Sequence, residues 1–193
     1  MLGGKCRKCE KPISSQYTLV EFLSILFFTI IYFLYGITLT TLLLMILSLS
    51  FIIIFFIDLK HFIIPNSLTF PLMFIGFIKS FDPNLDNFLF PNYINSLIGG
   101  VLGYLIIWLI IFAYKKIKNK EGMGLGDAKL LSAIGFWFGW VSIPFVLFLS
   151  SIIALGFSLP SLVNKSKNLS SQIPFGPYIV LGITLYIFVK HMI

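Results

Sequence analysis

An all-α, polytopic transmembrane bundle of six or seven spans is the fold this sequence predicts, and three observations predict it. The 193 residues are 58% hydrophobic and only 11% charged, with a mean hydropathy of +1.00. A soluble domain of this length cannot hide so much apolar surface, because core volume grows too slowly relative to surface, so lipid must be the solvent. The apolar stretches are continuous rather than alternating, which argues against barrel strands. Helices are the other way to satisfy backbone polar groups in hydrocarbon. The third observation is that the basic residues sort onto one side.

A hydrocarbon core of about 30 Å takes roughly 20 apolar residues per helix. Seven candidate spans read along the chain at 17–35, 38–57, 62–77, 94–114, 128–140, 142–162 and 175–189. The third and fifth are short, which suits little tilt or a partly interfacial position. Residues 1–16 read as a short basic, cysteine-bearing tail, and 17–193 as the membrane-embedded domain. No internal repeat is visible, and the start does not follow a cleavable signal-peptide pattern.

Orientation follows from the lysines and the arginine. With the N-terminus in the cytoplasm, the inner segments hold Lys5, Arg7, Lys8, Lys11, Lys60, Lys115, Lys116, Lys118, Lys120, Lys129, Lys165 and Lys167, and the outer ones only Lys79 and Lys190. That is twelve of fourteen basic residues on one side. The net charge of +7 therefore reads as topology plus contact with anionic lipid. Nucleic-acid binding is a poor fit, since the charge is split among loops with no single patch.

Only seven carboxylates exist: Glu10, Glu21, Asp58, Asp82, Asp86, Glu121 and Asp127. Asp82 and Asp86 read as turn residues of an outer loop, Glu10 and Glu121 as solvated, and Glu21 as a helix-start acid favoured by the dipole. Asp58 and Asp127 differ. Asp58 closes the run "FIIIFFID" and Asp127 opens the fifth span, both at the cytoplasmic edge. Ionisable groups at the edge of hydrocarbon are costly and mark functional sites by default. Two nearby carboxylates cannot both ionise cheaply, so one keeps a proton. The ionised member can take a proton from water while the other polarises a peptide carbonyl. Such a pair titrates as a unit, which leaves the division of roles open. Gly122, Gly124 and Gly126, just ahead of Asp127, give a flexible backbone that a substrate chain could approach closely and that could move Asp127 toward Asp58. His61 and Lys129 read as interfacial residues, the latter a headgroup anchor because i and i+2 do not share a helix face.

"GLGD" at 124–127 is the G-x-G-D signature of intramembrane aspartyl proteases. "DLKHFIIPNSLTFPL" at 58–72, with Ile64, Pro65 and Asn66, resembles the first-aspartate segment of bacterial type IV prepilin peptidases. "GMGLGDAKLLSAIGFWFGW" at 122–140 resembles their second-aspartate segment, Lys129 falling in its Asp-x-Lys-Leu continuation. "IPFGPYIVLG" at 173–182 resembles their late Pro-Phe-Gly-Pro element, and "GGKCRKCEKPISSQYTLVEFL" at 3–23 the second half of their cysteine domain. The resemblance implies an inner-membrane aspartic endopeptidase. It would remove the basic leader from prepilins and type II secretion pseudopilins at the cytoplasmic face, with Asp58 and Asp127 as the catalytic pair and Gly124 and Gly126 as support. It implies no cofactor for proteolysis. It also raises a second activity, methylation of the new N-terminus with S-adenosylmethionine, for which no nucleotide-type glycine loop is present.

The sequence departs from the family pattern in its N-terminal part. Family members carry a further span and a first C-x-x-C pair ahead of this point, whereas here only Cys6 and Cys9 are present. Structural zinc takes four protein ligands. The pair reads either as half a zinc site, empty or shared between copies, or as two reduced cytoplasmic thiols. The competing functional readings are a small transporter whose acids relay ions, and a homologue that binds prepilins without cutting them.

Overall fold

The computed structural model of the chain describes residues 14–83, 85, 89–118, 124–163 and 174–192. Seven helices stand among these residues, with no strand. The chain divides into two compact units, Met1–Ile53 and Ile54–Ile193, each described by itself below.

The first unit holds α1 (Ser15–Tyr35) and most of α2 (Leu39–His61). Ser14 caps α1 through its hydroxyl, which accepts the Gln16 amide at 3.3 Å. Gly36 ends the helix at φ 62, where its N–H reaches the Tyr32 carbonyl at 2.8 Å; the left-handed value is why a glycine stands there. Thr38 then starts α2 by accepting the Thr41 amide at 3.2 Å. Phe22, Phe33 and Ile37 stand exposed here, as suits side chains facing lipid.

The second unit contains the end of α2 and then α3 (Asn66–Lys79), α4 (Tyr93–Lys118), α5 (Leu125–Phe138), α6 (Ser142–Val163) and α7 (Gly176–Met192). By length and apolarity α1, α2 and α4 can each cross a membrane, and α6 and α7 add shorter apolar helices. This is a polytopic helical architecture.

Of the boundaries that differ from those read in the sequence, three bear on the acids, each for a local reason. Helix α2 runs past residue 57 to His61, so Asp58 lies inside its last turn. Helix α3 begins at 66 rather than 62, because Phe62 turns the chain at φ 56 and Pro65 restricts the residue before it. Helix α5 begins at Leu125, directly after Gly124, which puts Asp127 in its first turn.

Helix α5 organises the second unit. It is only 14 residues long, about 21 Å at 1.5 Å per residue, shorter than a hydrocarbon core. Ten of its residues are buried, and it packs against α3, α4, α6 and α7. A helix apolar all round belongs inside a bundle, where a span's length need not match the lipid.

Small residues allow this packing. A Cβ on Gly99 of α4 would lie 2.5 Å from the Gly135 carbonyl oxygen of α5, and one on Gly103 would lie 2.6 Å from that of Leu131. Two serine hydroxyls tie the same helices together, Ser96 donating to the Phe136 carbonyl at 2.6 Å and Ser132 to the Gly100 carbonyl at 2.7 Å. On the α3 side, Gly76 makes room for Trp137, whose indole N–H donates to the Leu72 carbonyl at 2.7 Å.

Lys79, expected in an outer loop, is instead the last residue of α3 and is buried. Its ammonium donates to the Trp137 carbonyl at 2.9 Å and lies 3.6 Å from the Phe90 ring centre. The C-terminal carbonyls of α5 lack partners in their own helix, and a cation there also suits the helix dipole.

Candidate active site

Asp58 and Asp127 come from helices separated by almost 70 positions of chain, and both are buried, at 4% and 7% exposure. Asp58 lies in the last turn of α2. Just beyond it the chain turns at Phe62 and brings Ile64 inward, after which Pro65 opens α3. Asp127 lies in the first turn of α5, its amide donating to the Gly124 carbonyl at 3.2 Å.

Ile64 connects the parts. A Cβ on Gly126 would lie 3.0 Å from the Ile64 Cβ, and one on Gly176 would lie 3.0 Å from its Cδ1. Gly176, the first residue of α7, donates its N–H to Asp58 Oδ2 at 3.0 Å. The end of α2, the start of α5 and the start of α7 thus meet around one isoleucine, with glycine at two of the contacts. Asp127 senses the charge of Asp58.

The other singled-out residues fall nearby or outside the described set. Lys129, read as a headgroup anchor, donates to Asn66 Oδ1 at 2.8 Å and lies 5.5 Å from the Phe70 ring centre. It ties the start of α5 to the start of α3. Pro65 is the residue that caps α3, and His61 is exposed on the last turn of α2. Cys6, Cys9, Glu121, Gly122 and Asp86 lie outside the described residues. Among the described residues no three His, Cys, Asp or Glu side chains gather as a metal site.

Sequence reading missed the contact between Asp58 and α7. In the sequence the Pro-Phe-Gly-Pro stretch carries only a resemblance. The available signal was a glycine at a helix start, where backbone N–H groups have no helical partner. A cavity of about 400 Å³ lies away from the acids, at the far end of α5, lined in part by Phe138, Gly139, Trp140, Tyr186 and Lys190. An apolar cavity is the default site hypothesis, but the chemistry-bearing groups are at the other end.

With this geometry in hand, the comparisons decide the family. The model described as "Type IV leader peptidase family" matches residues 45–159, more than half of the chain, and that of the "Bacterial Peptidase A24 N-terminal domain" matches residues 1–35. The chain belongs to the type IV leader peptidase family. Curated members of it are similar over most of this sequence. A prepilin leader peptidase/N-methyltransferase of Aeromonas hydrophila is 37% identical over 181 residues, which is 94% of this chain and 61% of the relative. Those of Pseudomonas aeruginosa and Neisseria gonorrhoeae are 33% and 35% identical, again over 94% of this chain and 61% and 60% of their own lengths. The chain therefore spans about three fifths of the length of these relatives. No solved structure matches it. Both acids of this leader peptidase family member, with Ile64, Gly124 and Gly126, fall inside the matched region, and Gly176 lies beyond it.

Proposed function

We propose that this chain is an aspartic endopeptidase that removes the leader from prepilins and pseudopilins, with Asp58 and Asp127 as its catalytic pair. The observation that carries the proposal is the meeting of two buried acids, from separate helices, beside glycine backbone.

The chemistry follows from that arrangement. The ionised carboxylate takes a proton from water, whose oxygen attacks the scissile carbonyl carbon, while the protonated carboxyl gives its proton to the carbonyl oxygen. Collapse of the tetrahedral species breaks the C–N bond, with one proton delivered to the leaving amine, and the pair returns to a single shared proton. The site supplies the positioning by fixing two acids on separate helices of one packed unit.

Substrate class rests on the relatives' names and on the physical fit. A basic leader followed by an apolar helix would rest on an anionic membrane face, with its scissile bond at the edge of hydrocarbon. The basic residues Lys60, Lys115, Lys116 and Lys118 in the last turns of α2 and α4 support a cytoplasmic placement of that face and the inner membrane as the location. N-methylation with S-adenosylmethionine is supported by the relatives' names alone, and zinc at Cys6 and Cys9 by the resemblance alone.

The test is to reconstitute the purified chain in lipid with a model prepilin and to follow leader loss by mass spectrometry. The proposal expects one new N-terminus at the start of the hydrophobic stem. A well-folded chain that leaves the prepilin intact contradicts it, and a methylated product on addition of S-adenosylmethionine reports the second activity in the same spectrum.

A further inference from the structure

Gly176 offers the Asp58 carboxylate a fixed donor. It is the first residue of α7, and its N–H, one of the amides that a helix start leaves without a helical partner, points at Asp58 Oδ2 at 3.0 Å. The second residue, Pro177, has no N–H to compete. Asp58 thus caps α7 from a different helix, 118 positions away in sequence. A hydrogen bond to an ionised carboxylate is stronger than a neutral one, and the positive end of the α7 dipole favours the same charge. A carboxylate held in this way loses its freedom to rotate.

The glycine is required by space rather than by backbone conformation. A Cβ at 176 would lie 2.7 Å from Asp58 Oδ2, 3.2 Å from its Cγ and 3.0 Å from Ile64 Cδ1. Alanine is otherwise the better helix former, so the methyl would disturb Asp58 and Ile64 before it disturbed the helix.

We infer that the start of α7 is the third part of the site, and that Gly176 is a positioning residue for Asp58. This rests on the reading of Asp58 as catalytic, but the contact itself can be tested without cleavage. Gly176→Ala displaces the carboxylate and leaves the substrate's own contacts in place. Misplacement by about 1 Å costs on the order of 100-fold in rate, so kcat falls by about that factor while KM stays within about twofold.

Three further variants separate positioning from packing. Ile64→Val added to Gly176→Ala removes the Cδ1 contact but not the one to Oδ2, and restores no activity. Gly182→Ala, whose Cβ would lie 2.7 Å from Ser150 Oγ, disturbs the packing of α7 on α6; it lowers stability and spares kcat per folded molecule. Gly156→Ala, with open space around the new methyl, changes neither.

The readout independent of cleavage is the Gly176 amide in protein labelled with 15N-glycine. Asp58→Ala moves its proton upfield and speeds its exchange by about tenfold or more, as loss of a bond to a charged acceptor requires, while the Gly182 amide stays in place. A Gly176 amide indifferent to Asp58→Ala, or a Gly176→Ala enzyme with parental kcat, overturns the inference. So does recovery of activity in the Ile64→Val double variant, which would make the effect one of packing. A parent that cuts no prepilin while the Gly176 amide still follows Asp58 supports the contact and counts against the peptidase reading alone.

Discussion

The two ends of α5 bury opposite charges, and they do so differently. At the C-terminal end the Lys79 ammonium is taken up by structure: the Trp137 carbonyl at 2.9 Å, the Phe90 ring at 3.6 Å and the Trp137 ring at 5.3 Å. At the N-terminal end the neighbours are glycine backbone, one isoleucine and a second carboxylate. Among the described residues the Gly176 amide is the donor on Asp58, and it fills one of the roughly four acceptor positions a carboxylate has. Burial of a charge is therefore not what marks the site. The difference lies in whether rigid partners consume the charge, as they do for Lys79, or whether acceptor capacity is left over, as it is on Asp58.

That contrast predicts opposite kinds of damage. The largest effect belongs to the acids. Asp58→Asn and Asp127→Asn each lower the cleavage rate by at least about 100-fold, with unfolding stability in detergent or lipid unchanged or slightly raised, because a buried ionisable group is replaced by a neutral one of the same shape. In the parent, the same pair gives a bell-shaped pH–rate profile, since activity needs one shared proton and fails when both acids are protonated or both ionised. A profile rising to a plateau on either side would break the pair into independent groups.

Lys79→Met should do the reverse. It removes a desolvated cation–π contact and orphans a buried carbonyl, lowering stability by about 2–3 kcal/mol, while the rate per folded molecule falls less than about threefold. Chemical unfolding measured beside single-turnover cleavage separates the two quantities. A rate loss matching that of the acids would mean that the far end of α5 takes part in the chemistry.

Between the two ends, Gly135→Ala puts a methyl against the Gly99 backbone. Overpacking of this kind costs about 1–3 kcal/mol, read as an earlier unfolding transition. The smallest effect is expected at Lys129→Gln, which weakens one exposed hydrogen bond to Asn66. It should cost about 0.5–1.5 kcal/mol of stability at most.

The two ends of α5 also differ in how far the sequence revealed them. Asp58 and Asp127 stand out because acids are rare here, and because orientation read from the basic residues alone puts both at one membrane edge. The helices were legible from apolar run length, and the misplaced ends at 57, 62 and 128 trace to local capping by Gly124, Phe62 and Pro65. Lys79 was misread because a lone lysine ending an apolar run looks like a loop cation, and its partner carbonyl is 58 positions away. The Gly176–Asp58 contact was hidden for the same reason across 118 positions. The burial of α5 was hidden too, because the glycines that admit it against α4 are spread over two helices. Periodicity and composition report a helix's own surface. They do not say which neighbour fills it.

The central claim is that Asp58 and Asp127 act as one unit, and a double-mutant cycle on cleavage tests it most directly. Single-turnover leader removal would be measured for the parent, Asp58→Asn, Asp127→Asn and the double variant, all reconstituted in the same lipid. For a pair that shares one proton and one water, losing the second acid adds little to losing the first, so the double variant should be no slower than the slower single variant within about threefold. Losses that multiply would show two independently acting carboxylates and would contradict the account.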